Sequence, residues 1–211
     1  LMDLTTDYRN NNIVIFDLDG VLVDACEWHR LALNEALKEV CNYEISLDEH
    51  YSTFNGIPTK KKLNILTKTD IIKQKDIQCI YDKKQAKTLE IIRTHCKIRQ
   101  EKIDMLKYLK ANNVKIACYT NSIRQTGSLM LKKTGIYDLF DLFLSNQDVP
   151  EPKPNPIGYT QVMEYFGISK QNTLIIEDSP KGLSAALDSG ARVVKVNNPD
   201  DVDVLLFRSA Q

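Results

Sequence analysis

Ile13-Val14-Ile15-Phe16-Asp17-Leu18-Asp19-Gly20-Val21 opens as a short run of apolar, mostly β-branched residues and breaks into an acidic turn at Asp17. An apolar run without alternation is what a strand buried on both faces requires, and such strands belong to parallel sheets. Working outward, similar runs recur at Val114 to Tyr119, Leu142 to Leu144, Thr173 to Ile176 and Val193 to Val196. Between them lie segments of helical period: Glu101 to Ala111, Ile123 to Lys133, Ile157 to Phe166 and Pro180 to Leu187. Ser179 offers a capping hydroxyl ahead of a first-turn proline, and Gly135, Gly167 and Gly190 mark helix stops. Strands alternating with helices predict an α/β fold, a mostly parallel sheet with helices on both faces.

That alternation fails between Cys26 and about Lys97. Trp28 to Val40, Thr59 to Thr67 and Lys75 to Thr94 carry helical patterns, with Gly56-Ile57-Pro58 as punctuation and almost no strand-like run. The expected organisation is an all-helical domain over 25–97 inserted into a core made of 10–24 and 98–211, with disorder only at the two chain ends. Lys60-Lys61-Lys62 is expected to form a solvated helix face.

Composition bounds the partners. With 211 residues, 43% of them hydrophobic, the chain can bury a core and a smaller cap. Lys+Arg 28 balance Asp+Glu 28, so no overall field draws in nucleic acid or an anionic membrane surface. Residues Leu1 to Asn12 are polar, and no run approaches the roughly 18 apolar residues of a membrane span. The five cysteines, Cys26, Cys41, Cys79, Cys96 and Cys118, form no C-x-x-C pair and read as structural free thiols. A cytoplasmic protein is expected, as a monomer or weak homodimer.

Four polar signatures follow the apolar runs: Asp17-Leu18-Asp19-Gly20, Thr120-Asn121-Ser122, Lys153 within Pro150-Glu151-Pro152-Lys153-Pro154, and Glu177-Asp178-Ser179. Any one of them reads as a turn or a helix cap; together they point to phosphoryl transfer through an aspartate. Hydrolysis of a phosphate monoester needs a positioned nucleophile, charge neutralisation and proton management at once. Asp17 is the candidate nucleophile, and Asp19, two residues on, the candidate acid and base. A calcium loop is the competing reading of this stretch, but position 21 is valine and no glutamate follows at the twelfth position. Two carboxylates beside a phosphate call for a divalent cation, Mg2+ by its preference for hard oxygen ligands, with Asp178 and Glu177 as further donors. Helix capping by Asp178 and Ser179, and by Asn121 or Ser122, remains an alternative at those positions. Thr120 and its flanking N–H groups suit phosphate oxygens. Lys153, fixed among prolines, suits neutralisation of an acyl phosphate.

From Ile13 to about Asp203 the chain resembles the haloacid dehalogenase superfamily, in the branch with a helical cap inserted after the first motif. Asp17-Leu18-Asp19-Gly20-Val21 matches that family's D-x-D-G-[VT], Thr120 its strand-ending hydroxyl, Lys153 its lysine and Glu177-Asp178 its acidic pair. The resemblance implies a Rossmann-like core with Asp17 as nucleophile, Asp19 as acid/base, and Mg2+ held by Asp17, the Asp19 main-chain carbonyl and Asp178, with Glu177 as a second candidate. Thr120, Asn121, Lys153 and His29 become the expected substrate contacts. Dehalogenases and phosphonate-cleaving members lack the second aspartate of the first motif, so Asp19 points to phosphate esters. The implied activity is a Mg2+-dependent phosphatase acting on a small phosphorylated metabolite such as a sugar phosphate. The alternative is a phosphomutase of the β-phosphoglucomutase type, whose histidine His29 matches but from which Ala25 and Thr59 depart; Lys84, near their cap lysine, is expected in solvent. A non-catalytic phospho-switch or scaffold is the alternative of another class, and Asp19 argues against it.

Overall fold

The computed structural model describes residues 13–208. The chain ends expected to be disordered, and the outermost residues assigned to the core (10–12 and 209–211), lie outside the described residues. Five strands pair in parallel: β1 (Ile13–Phe16), β2 (Lys115–Tyr119), β3 (Leu142–Leu144), β4 (Thr173–Glu177) and β5 (Arg192–Lys195), in the order β3-β2-β1-β4-β5. The chain steps outward from β1 to β3, then crosses back to the other side of β1. That reversal opens a crevice at the carboxyl ends of β1, β2 and β4, the place where open α/β sheets bind ligands.

Every side chain of β1 is buried, which is why its run does not alternate. Ile13 and Ile15 pack with Ala117, Tyr119 and Ile175 against α7 (Ile157–Phe166) and α8 (Pro180–Asp188), which contribute Tyr159, Val162, Ala185 and Ala186. Phe16 points the other way and meets Phe140 and Phe207 edge-on, with ring centroids 6.4 and 6.0 Å apart. On that side α5 (Gln100–Ala111) packs on β2 and on the turn Val204–Phe207, and its fully buried Lys102 donates to the carbonyls of Pro199 and Val202. The α/β fold is therefore as the sequence predicts, with element ends displaced by a residue or two.

The chain separates into two compact units, one holding the segments up to Asp24 and from Lys97 onward, the other Ala25–Cys96. Taken by itself, the second unit contains α1 (Cys26–Cys41), α2 (Leu47–Glu49), a π-helical turn at His50–Phe54, α3 (Thr59–Lys68) and α4 (Ile77–His95). Leu33, Ala36 and Leu37 of α1 share the i, i+3, i+4 face that meets Leu63 and Leu66 of α3 and Ile80 of α4. Asn34 clamps the chain after α1, donating to the Ile45 carbonyl at 2.9 Å and accepting the Ile45 N–H at 3.0 Å. Ser46 and Glu49 form a capping box over the single turn of α2, a segment the helical patterns did not mark.

Two lysines depart from expectation. Lys62 and Lys84 are each only 5% exposed, not solvated. Lys62 stands one turn before Leu66, and Lys84 shares a stripe with Ile80, Thr88 and Ile91, so helical geometry turns both inward. Lys84 Nζ lies 3.3 Å from His29 Nδ1 within this unit. Of the thiols, all free, Cys96 and Cys118 are buried as a structural reading requires, whereas Cys79 is exposed.

His50 is a buried polar group of the helical unit with a cost to folding. It is 1% exposed, and neither ring nitrogen has a hydrogen-bond partner among the described residues. Burial, then the nearby charges of Lys62 and Arg30, pulls its pKa from 6.5 down to about 4. The folded state thus binds fewer protons than the unfolded chain between those values, so stability is present above pH 6.5 and falls on acidification towards pH 4. We expect this one group to remove roughly 2–3 kcal/mol over that window. Chemical denaturation of the wild type and His50→Phe at several pH values checks it: the variant's acid slope should be shallower, and equal slopes would exclude the assignment.

Candidate active site

The acidic turn starts where β1 stops. The Asp17 N–H donates to the Ile176 carbonyl at 3.0 Å, carrying the β1–β4 ladder one residue further, and the Leu18 carbonyl then accepts from Leu22 and Val23 at 2.9 and 3.0 Å. Gly20 sits at φ +92°, and a Cβ there would lie 2.1 Å from Asp178 Oδ2. Only glycine meets both demands, the left-handed backbone and the passage of Asp178 over it.

Lys153 is 2% exposed and occupies the middle of the site. Its Nζ donates to Asp17 Oδ1 at 2.6 Å, to Glu177 Oε1 at 2.5 Å and to the Tyr119 carbonyl at 3.0 Å. Asn121 fixes the lysine's backbone from both sides, accepting the Lys153 N–H at 3.0 Å and donating to the Lys153 carbonyl at 3.1 Å. Thr120 extends β2 by donating its N–H to the Leu144 carbonyl at 3.0 Å. The Thr120 and Ser122 hydroxyls both donate to Asp19 Oδ2 at 3.1 Å, which holds that carboxylate beside β2. Asn121 and Ser122 do not cap α6 (Arg124–Thr134): the cap position is Ile123, without a side-chain bond. Ser179 does cap α8, accepting the Gly182 N–H at 3.1 Å.

The acidic pair divides in two. Glu177 is fully buried; Oε1 accepts from Lys153 and from the Tyr159 hydroxyl at 2.6 Å, while Oε2 accepts the Asp178 N–H at 3.1 Å. Gly182 makes room for it, since a Cβ there would fall 2.0 Å from Glu177 Oε1. Asp178 Oδ1, by contrast, is buried with no hydrogen-bond partner among the described residues. Burial, then Glu177, pushes the Asp17 pKa well above the ordinary carboxylate range against the pull of Lys153. The same two causes raise Asp178 to about 7. Burial alone would lower Lys153, but Asp17 and Glu177 beside it turn the net shift upward. Carboxylate oxygens of Asp17, Glu177 and Asp178 lie within 4.8 Å of one another. Crowded hard oxygens and an orphaned buried Asp178 Oδ1 fit a divalent cation of the magnesium type.

So Asp17, Asp19, Thr120, Asn121, Lys153, Glu177 and Asp178 come together in the first unit, whereas His29 belongs to the helical unit, beside Lys84. A model of the family described as haloacid dehalogenase-like hydrolase matches residues 14–196, a span that contains all of them. The chain belongs to that family. Among haloacid dehalogenase-like relatives, it is 28% identical over 186 residues to a phosphoglycolate phosphatase of Nitrosospira multiformis, covering 85% of this chain and 80% of that one. It is 25% identical over 180 residues to a phosphorylated carbohydrates phosphatase of Thermotoga maritima, covering 84% and 81%. A crystal structure of β-phosphoglucomutase from Clostridium difficile superposes with a TM-score of 0.78 at 21% identity, covering 92% of this chain and 93% of that one; this likeness speaks to the fold. Reading from the sequence overlooked Ser122 as a support of Asp19, the two-sided grip of Asn121 on Lys153, and the tyrosines around the lysine. The only signal for the last was Tyr159 standing six residues after Lys153 at the start of a helix.

Proposed function

We propose that this haloacid dehalogenase-like hydrolase is a Mg2+-dependent phosphatase of small phosphomonoesters, phosphorylated carbohydrates or related acids, working through an aspartyl-phosphate. The observation that carries the reading is the convergence of Asp17, Asp19, Thr120, Lys153 and Asp178 at the carboxyl ends of β1, β2 and β4. The Asp17 carboxylate attacks phosphorus, and Asp19 protonates the departing alkoxide oxygen as the ester bond breaks. Asp19, now ionised, takes a proton from water; the resulting hydroxide attacks the acyl phosphate, releasing inorganic phosphate and restoring Asp17. Lys153 offsets the charge of Asp17 and of the phosphoryl group, and Thr120, whose N–H is held by the sheet, offers its hydroxyl to phosphate oxygens. Asp17, the Asp19 carbonyl and Asp178, with Glu177 as a second candidate, would hold Mg2+, which when bound would neutralise carboxylates and phosphate together.

We assign the Ala25–Cys96 unit the role of the inserted cap, with His29 as its substrate contact. No helix among the described residues is long and apolar enough to cross a membrane, and the free thiols suit a reducing cytoplasm. The names of the curated relatives favour hydrolysis over isomerisation. Purified protein should release phosphate from part of a phosphomonoester panel with Mg2+ and lose that release with EDTA. Conversion of one sugar phosphate to its isomer under a bisphosphate primer would replace the reading by a phosphomutase, and silence across the panel would end it. Asp19→Ala should slow steady-state release by about 10²–10⁴-fold. Unchanged rates would remove Asp19 from proton transfer.

A further inference from the structure

We propose that Tyr159 is a positioning residue that acts through Glu177 to hold the Lys153 ammonium against Asp17; the inference rests on the phosphatase reading above. An ammonium has three N–H bonds, and those of Lys153 are all committed, to Asp17 Oδ1, Glu177 Oε1 and the Tyr119 carbonyl. Its position between the two carboxylates therefore depends on how strongly each attracts it. Tyr159 weights that competition. Its hydroxyl donates to Glu177 Oε1 at 2.6 Å, the same oxygen that accepts Lys153. With the hydroxyl in place, part of the Glu177 charge is already answered and more of the lysine's attraction is left for the nucleophile. Without it, Glu177 Oε1 has Lys153 as its remaining donor and draws the ammonium from Asp17.

The surroundings leave the lysine few other places to go. Its Nζ lies 4.8 Å from the Tyr119 ring centroid and 5.1 Å from that of Tyr159, and the rings meet edge to face at 5.1 Å. Glycine at 158 permits this, because a Cβ there would fall 2.2 Å from Tyr119 Cζ and push the first turn of α7 outward. The two tyrosines also differ in a telling way. Both are fully buried, but the Tyr119 hydroxyl has no partner among the described residues, while that of Tyr159 is spent on Glu177. Packing alone would be served by phenylalanine at 159; the hydroxyl there has a charged partner to serve.

Tyr159→Phe keeps the ring and removes only that bond. With a phosphomonoester that the wild type hydrolyses, kcat should fall about tenfold while KM stays within about twofold, since a displaced lysine is missed most as charge develops on the phosphoryl group. In a Glu177→Gln background the same substitution should change kcat by less than about twofold, because the group it acts through has lost its charge. Crystal structures supply a readout independent of turnover: the Lys153 Nζ to Asp17 Oδ1 contact should lengthen beyond hydrogen-bond range in Tyr159→Phe. An unchanged contact overturns the proposal, as does a kcat loss of equal size in both backgrounds. If the wild type hydrolyses nothing, the phosphatase reading fails, and the crystallographic comparison still decides the positioning role.

Discussion

Asp17→Asn is expected to abolish phosphate release, by more than about 10⁴-fold, and to leave the protein as stable as the wild type to within about 1 kcal/mol, if Asp17 is the nucleophile proposed above. The amide has almost the shape of the carboxylate but no charge with which to attack phosphorus. Its folding cost is small because Asp17 is crowded by Glu177 and Asp178 as well as paired with Lys153, so deleting its charge removes repulsion along with attraction. Lys153 keeps Glu177 and the Tyr119 carbonyl as acceptors. Phosphate release and thermal unfolding of the same preparation give both halves of the result. Turnover within tenfold of the wild type would mean that phosphorus never bonds to this carboxylate.

Lys153→Met has the opposite profile, with stability lost as well as activity. Removing the cation that bridges buried Asp17 and Glu177 leaves two uncompensated acids and should lower unfolding free energy by about 3–5 kcal/mol. The loss should depend on pH. Burial already holds the Asp17 carboxyl above its ordinary range against the pull of Lys153; without the lysine the folded state keeps that proton more firmly, so stability falls as pH rises through that range. Denaturant titrations of variant and wild type should therefore diverge as pH climbs from about 5 to 8. A gap of constant size across that range would show that the lysine matters for packing and not for charge.

The parts of this molecule that could be read in advance are those where local sequence fixes geometry. β1 is buried on both faces and says so in Ile13-Val14-Ile15-Phe16, and residues that follow such a strand must emerge at its carboxyl end, which put Asp17 and Asp19 in place. Gly20 marked the tight turn, and the structure adds the second reason for it, the close approach of Asp178. What stayed hidden depends on partners far along the chain. Asn121 reads as a turn residue until Lys153, 32 positions later, folds against it. Lys62 and Lys84 carry apolar stems that tolerate burial, so a lysine-rich helix does not declare which of its lysines turns inward. Tyr159 sits on an apolar helix face where a core residue is the ordinary reading, and only the meeting of α7 with the end of β4 gives its hydroxyl a purpose.

The central place of β1, with ladders on both edges, also bears on motion. Strands at the middle of a sheet are among the last to open, whereas loops at its rim open readily. Breathing that admits a substrate or releases phosphate can thus proceed at the rim while the attacking group, the hydroxyl after β2 and the acids after β4 travel as one piece. On the proposed mechanism, admission would then disturb the rim and leave the reacting groups assembled, so the site would not need rebuilding between turnovers.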